Sequence, residues 1–134
     1  MKIAGRDAGF LLVAPALLAG CSVVMKSSEV TPLTCFKLMG HITKAIEAGK
    51  LDIPEGLISL VTGYGPTIGN ALTSSPIPGI ISMTGSVATG QAIMRNAAEN
   101  MTKVNLELGG KAPCIVMGDA DLDLAVGAIV ASRV

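Results

Sequence analysis

A chain of 134 residues makes one domain, or part of one, with room for a modest core. Its ten basic and ten acidic residues cancel, which excludes the electrostatic footprint of a nucleic-acid binder or of a protein held on an anionic membrane surface. Half of the residues are apolar, yet only Phe10, Phe36 and Tyr64 are aromatic, a balance that suits a buried parallel sheet flanked by helices or an interior piece of a larger protein.

Cys21, Cys35 and Cys114 are scattered, with no metal-ligand spacing and no disulfide framework, which favours a reducing, cytoplasmic compartment. His41 is the lone histidine, so a His-based metal site or triad has no support. At the N-terminus Lys2 and Arg6 precede an apolar run over residues 8–18, and Leu18, Ala19, Gly20 and Cys21 fit the cleavage box of a bacterial lipoprotein signal. That reading would anchor the chain to a membrane by a lipid on Cys21. Asp7 beside the run and Pro15 inside it argue against it. The other reading is a helix that ends at Gly20 ahead of the first strand, with no membrane involved.

Residues 22–26 predict a strand on the β-branched Val23 and Val24. Thr31 as N-cap and Pro32 at the first helical position predict a helix. Its apolar stripe (Leu33, Phe36, Met39, Ile42, Ile46) ends at Gly49, and His41 lies beside that stripe as a helix-surface residue. Residues 57–62 predict the second strand, and residues 63–69 (GYGPTIG) lead into a helix over 67–73. The glycine spacing there misses the dinucleotide fingerprint, with three residues rather than two before the last glycine. A turn cluster over 74–79 resets the chain.

Residues 80–83 form a short apolar β-run, 84–89 a small-residue turn, and 91–100 a helix-forming stretch without Pro or Gly. A strand feeding a Gly/Ser turn that opens a helix is an anion-binding arrangement: free amides and the positive end of the helix dipole face whatever lies over the turn. Simple helix capping is the alternative. Residues 103–108 predict the next strand, which ends in Glu107 ahead of Gly109 and Gly110. A carboxylate desolvated at an apolar strand end would suit general-base work; pairing with Lys103 or Lys111 is the alternative. Residues 114–117 predict a further strand that buries Cys114. Asp119, Asp121 and Asp123 alternate as in a calcium loop but lack its glycine and its terminal Glu, so they read as the acidic start of a helix from 122 to about 132. The sum is an α/β fold: a partial Rossmann-like parallel sheet of about five strands with flanking helices and right-handed crossovers.

Residues 83–90 (MTGSVATG) and 106–113 (LELGGKAP) resemble the two signature segments of the NAD(P)-dependent aldehyde dehydrogenases. So do residues 14–20 (APALLAG), 23–29 (VVMKSSE) and 119–125 (DADLDLA), in the family's order and at close to its spacing. The resemblance covers residues 12–134 as a fragment of the NAD-binding domain and leaves 1–11 as a divergent segment. It implies that Lys26 and Glu29 hold the adenosine ribose, with Glu29 favouring NAD over NADP because a carboxylate repels a 2′-phosphate. It further implies that Gly69 approaches the adenine end, that Gly85 and Ser86 contact the pyrophosphate, and that Leu108 joins the cofactor-binding set. Glu107 matches the general base that activates water for thioester hydrolysis. Without the resemblance, Lys26 and Glu29 read as a solvated strand end and Gly69 as a close-packing turn. Ser27 stands where the family commonly has Pro, which frees the loop's φ.

The family's chemistry has a cysteine thiolate attack the aldehyde before hydride transfer, with the oxyanion held by an Asn side chain and the cysteine's own amide. The nucleophile should follow the base by a few tens of residues, and the sequence ends 27 residues after Glu107. Cys114, in a strand expected to be buried, is no substitute. The Asn segment would fall on residues 2–5 (KIAG), which do not match. The expectation is therefore a chain shortened at both ends, a pseudogene product in one form of it, that keeps parts of an NAD site and the general base but is catalytically inactive. The alternatives are an NAD-binding or interaction module that self-associates or joins a full-length relative through exposed sheet edges, and half of a split NAD-dependent aldehyde oxidoreductase.

Overall fold

The computed structural model describes residues 8–133, with side chains from Leu12 to Ser132. Lys2, Arg6 and Asp7 of the lipoprotein reading, and residues 2–5 where the oxyanion Asn would stand, lie outside the described residues. Two parallel strand pairs, each closed by a helical crossover, make up the body. In the first, β1 (Val23–Lys26) pairs with β2 (Ile58–Val61) in the register Val23 to Ile58 and Lys26 to Val61. Helix α1 (Ala8–Leu18) precedes β1, and α2 (Leu33–Glu47) carries the chain from β1 to β2.

A single π-helical turn, Gly65–Gly69, follows β2 and continues into the four-residue α3 (Asn70–Thr73). In the second pair, β3 (Ile80–Gly85) and β4 (Lys103–Leu108) run in the register Ile80 to Lys103 and Gly85 to Leu108, with α4 (Val87–Ala98) between them. A last helix, α5 (Leu122–Arg133), ends the described chain.

Local chemistry accounts for the element ends. Gly20 (φ +79°) and Gly49 (φ +66°) close α1 and α2 in the same way: in α1, Gly20 N–H donates to Leu17 O and Cys21 N–H to Ala16 O, both at 2.9 Å. These paired bonds satisfy carbonyls that the helix leaves over, and they need a residue that tolerates positive φ. Helix α4 ends in the same pair of bonds, from Met101 N–H to Ala98 O and from Thr102 N–H to Ala97 O, but with Met101 at φ +53°. The acidic run reads as expected at its helix: Asp121 Oδ1 accepts from the amides of Asp123 (3.0 Å) and Leu124 (3.2 Å) and caps α5.

Several expectations are corrected. The described residues hold four strands in two separate pairs, not one sheet of about five. Residues 114–117 form no strand, and Cys114 is exposed. A β-branched run becomes a strand only beside a partner whose amides it can pair with, and none reaches it among the described residues. Thr31 does not cap α2: the helix opens on Pro32, whose carbonyl accepts from Phe36 N–H at 3.2 Å. Strand β3 runs on to Gly85 and α4 starts at Val87, so the turn expected over 84–89 shrinks to Ser86.

Apolar burial is slight. Among the described residues Val13, Ile93 and Ala97 are the buried apolar ones. His41 is exposed on α2, at the border of an open apolar groove of about 300 Å³ between α1 and α2. No helix among the described residues is long and apolar enough to cross a membrane.

Candidate functional site

Because both strand pairs are parallel, the carboxyl ends of the strands carry the singled-out residues: Lys26 ends β1, Gly85 ends β3, and Glu107 and Leu108 end β4. Open α/β sheets bind ligands at that end.

At the end of β3, Ser86 is extended (φ −76°, ψ 153°) and caps α4. Its Oγ accepts from Thr89 N–H at 3.1 Å and lies 2.8 Å from Thr89 Oγ1. Gly90 N–H donates to Ser86 O at 3.0 Å, the first bond of the helix. Among the described residues no carbonyl takes the amides of Val87 or Ala88, which stay free at the positive end of α4. Capping therefore leaves room for an anion at Ser86, since one hydroxyl holds one of the orphan amides and leaves two others. These free donors beside the side-chain-less Gly85 fit a diphosphate.

Glycine at position 90 has a packing role. A Cβ there would stand 2.8 Å from Leu108 Cδ2 and 2.9 Å from Cδ1. The Leu108 side chain lies against α4 at this point, and Gly109 N–H donates to Gly85 O at 3.0 Å. Leu108 thus ties the end of β4 to α4 and the end of β3.

Glu107 differs from expectation. In the register it sits opposite Thr84, on the polar face of the pair where Asn105 Nδ2 donates to Ser82 Oγ at 3.1 Å. The side chains of Lys103, Asn105 and Glu107 are exposed, while Val104 and Leu106 turn inward. The desolvating surroundings expected of a strand-end base are absent because alternation puts Glu107 on the outer face. Among the described residues Glu107 pairs with neither Lys103 nor Lys111; the ion pair found is Lys26–Glu29.

That pair closes the end of β1. Lys26 Nζ lies 3.2 Å from Glu29 Oε2 and donates to Ser27 O at 2.9 Å. Glu29's own amide, then the Lys26 ammonium, and more weakly the Gly65 amide hold its carboxyl below the usual glutamate range. Ser27 N–H donates to Val61 O at 3.3 Å, which a proline could not do, while its own side chain is buried (3% exposed) with Oγ unpartnered. An ionised carboxylate beside an ammonium fits the vicinal hydroxyls of a ribose. Gly69 is open: nothing lies within 4 Å of a Cβ built there, so close packing inside this chain does not explain it.

The Lys26–Glu29 pair gives a pH prediction. Glu29's pKa is depressed on folding, so its contribution to stability is full above its unfolded pKa and is lost as pH falls through the folded one. A carbon-detected NMR titration should place the Glu29 midpoint below the ordinary glutamate range. Lys26→Ala should raise it only part of the way, because the amides of Glu29 and Gly65 remain. A midpoint that Lys26→Ala leaves in place would show that the pair does not hold the carboxyl.

Sequence reasoning passed over Asn96. Its Nδ2 donates to Thr73 Oγ1 at 2.9 Å and to Asn70 Oδ1 at 3.2 Å, and one turn on, Asn100 Nδ2 donates to Ser74 O at 2.8 Å. Two asparagines four apart, one on α4 and one just past its end, were the available signal, although spacing does not reveal their partners. Among the described residues no group of His, Cys, Asp and Glu could hold a metal ion.

The model of the Aldehyde dehydrogenase family matches residues 10–134. Lactaldehyde dehydrogenase of Escherichia coli (strain K12) is 52% identical over 122 residues, which is 91% of this chain and 24% of that protein. The mitochondrial succinate-semialdehyde dehydrogenase of Arabidopsis thaliana is 47% identical over 121 residues, covering 90% of this chain and 22% of that protein. Among solved structures, lactaldehyde dehydrogenase from Escherichia coli superposes with a TM-score of 0.84 at 48% identity, over 96% of this chain and 26% of that one. Betaine aldehyde dehydrogenase from Staphylococcus aureus in complex with NAD+ does so with a TM-score of 0.77 at 43% identity, over 86% of this chain and 22% of that one. The chain thus spans about a quarter of the length of the relatives it matches.

Proposed function

Because the chain belongs to the aldehyde dehydrogenase family, we propose that it binds a nicotinamide dinucleotide across the carboxyl ends of its strands, NAD in preference to NADP, and that these 134 residues do not oxidise aldehydes by themselves. The observation that carries the reading is the run from β3 through Gly85 and Ser86 into α4, with two free amides at the helix start. The NAD+ complex of the similar betaine aldehyde dehydrogenase supports it.

In this reading Ser86 and the amides of Val87 and Ala88 take the pyrophosphate, and Lys26 and Glu29 take the adenosine ribose. Gly69 leaves open space for the adenine end, and Leu108 acts by seating β4 against α4. The preference for NAD follows from Glu29: a carboxyl held ionised repels a 2′-phosphate. When bound, the cofactor supplies a hydride acceptor. Glu107 serves as a water-activating base only where further protein desolvates it, since here it is exposed. The three free cysteines suit the cytoplasm. A second reading, association with a longer member of the family, is favoured by exposed apolar residues such as Ile115 and Leu124.

Thermal unfolding followed by circular dichroism, with and without millimolar NAD, tests the first reading. A ligand at about 100 times its Kd that binds only the folded chain adds about 2.7 kcal/mol. The expected result is a cooperative transition that NAD raises and NADP raises less, with no reduced cofactor formed when an aldehyde is added. A cooperative transition that NAD leaves unmoved would overturn it.

A further inference from the structure

The two strand pairs share no ladder among the described residues, and they meet where α3 packs on α4. Asn96 bridges that seam. The ribose half of the site, with Lys26 and Glu29, belongs to the first pair; the pyrophosphate half, with Gly85 and Ser86, belongs to the second.

A continuous path runs between the halves. Gly65 opens the π-helical turn that follows β2, the parallel partner of β1; Asn70 Nδ2 donates back to Pro66 O in that turn at 2.9 Å, while Asn70 Oδ1 accepts from Asn96 at 3.2 Å. Both ends of the Asn70 amide are used, so its orientation is fixed: flipping it would lose both bonds. Thr73 is used in the same double way. Its hydroxyl, 6% exposed, donates to Gly69 O at 2.9 Å and accepts from Asn96 at 2.9 Å. Asn96 therefore grips the start and the end of α3 at once, and α4 carries that grip to Ser86 at its own N-terminus.

Resting on the reading above, we infer that Asn96 is a positioning residue that sets the spacing between the ribose and pyrophosphate half-sites. A dinucleotide that bridges both halves binds well only if they are held at the separation its own length demands. A ligand confined to one half does not sense that separation. Rigid coupling of this kind acts on the bridging ligand alone.

The test compares NAD with adenosine on the purified full chain, by NMR titration, for wild type, Asn96→Ala and Thr73→Ser. The expected result for Asn96→Ala is NAD affinity reduced about tenfold with adenosine affinity within about twofold of wild type. Thr73→Ser keeps the accepting oxygen and should leave both affinities near wild type. Should the alanine variant not fold, Asn96→Leu, which has the same number and branching of side-chain heavy atoms and no hydrogen-bonding group, carries the same expectation. NAD and adenosine weakening together, or neither changing, would show a merely structural contact and overturn the inference alone. A wild-type chain that binds neither ligand would overturn the cofactor reading and this inference with it.

Discussion

The purified chain is expected to associate in dilute buffer rather than run as a 13.5 kDa monomer. Its accessible surface is 10056 Å² at a mass of 13.5 kDa, whereas a folded monomer of that mass exposes about 6,500 Å². The excess of about 3,500 Å² is several times the ~800 Å² that one partner buries in an ordinary interface, and it exceeds the roughly 1,000–2,500 Å² that each partner buries in typical obligate assemblies. Helix α5 exposes Leu122, Leu124, Val126 and Val130, and the stretch before it exposes Ile115 (80%) and Met117. Apolar side chains on successive turns, without the polar face of a surface helix, belong against another surface. Sedimentation velocity over a hundredfold range of concentration should show species heavier than the monomer. The double variant Leu124→Glu, Val130→Glu should shift the distribution toward it. A wild-type chain that stays monomeric throughout and still unfolds cooperatively would show that the exposed faces need no cover.

What the sequence revealed and what it hid divide along one line: whether a feature is decided by near neighbours. Gly20 and Gly49 were legible as helix ends because positive φ after a helix is a local requirement, and both carry the paired bonds that requirement serves. Asp121 and Ser86 were legible because a cap acts within three residues. Met101 was not: it occupies the same left-handed position as those glycines without a glycine's signature. Residues 114–117 show the opposite error, since β-branched residues signal a strand but the partner that would make one is decided at long range. Glu107 shows it again. Its position at a strand end was correct, while its exposure depended on which face of β4 the pairing with β3 turned outward. Asn96 lay furthest out of reach, because its partners Asn70 and Thr73 stand 26 and 23 residues away.

Removing the Ser86 hydroxyl should have two effects that two variants can separate. As N-cap, Ser86 satisfies the Thr89 amide, so Ser86→Ala should lower stability by about 1 kcal/mol, whereas Ser86→Gly at the same position should cost only a few tenths. For a chain of this size about 1 kcal/mol is about 4 °C in Tm. As a pyrophosphate donor, by contrast, the hydroxyl is lost equally in both variants, so both should lose most of the rise in Tm that NAD gives the wild type. Ser86→Thr keeps an oxygen able to cap and to donate, and should retain both stability and response. The glycine variant decides the matter. If its NAD response matches that of the wild type, Ser86 is a cap and nothing more, and the free amides of Val87 and Ala88 would have to hold a diphosphate without it. If its response is lost while its own Tm hardly moves, the hydroxyl acts on the ligand directly, because a defect in helix capping alone would have appeared first in the stability of the unliganded chain.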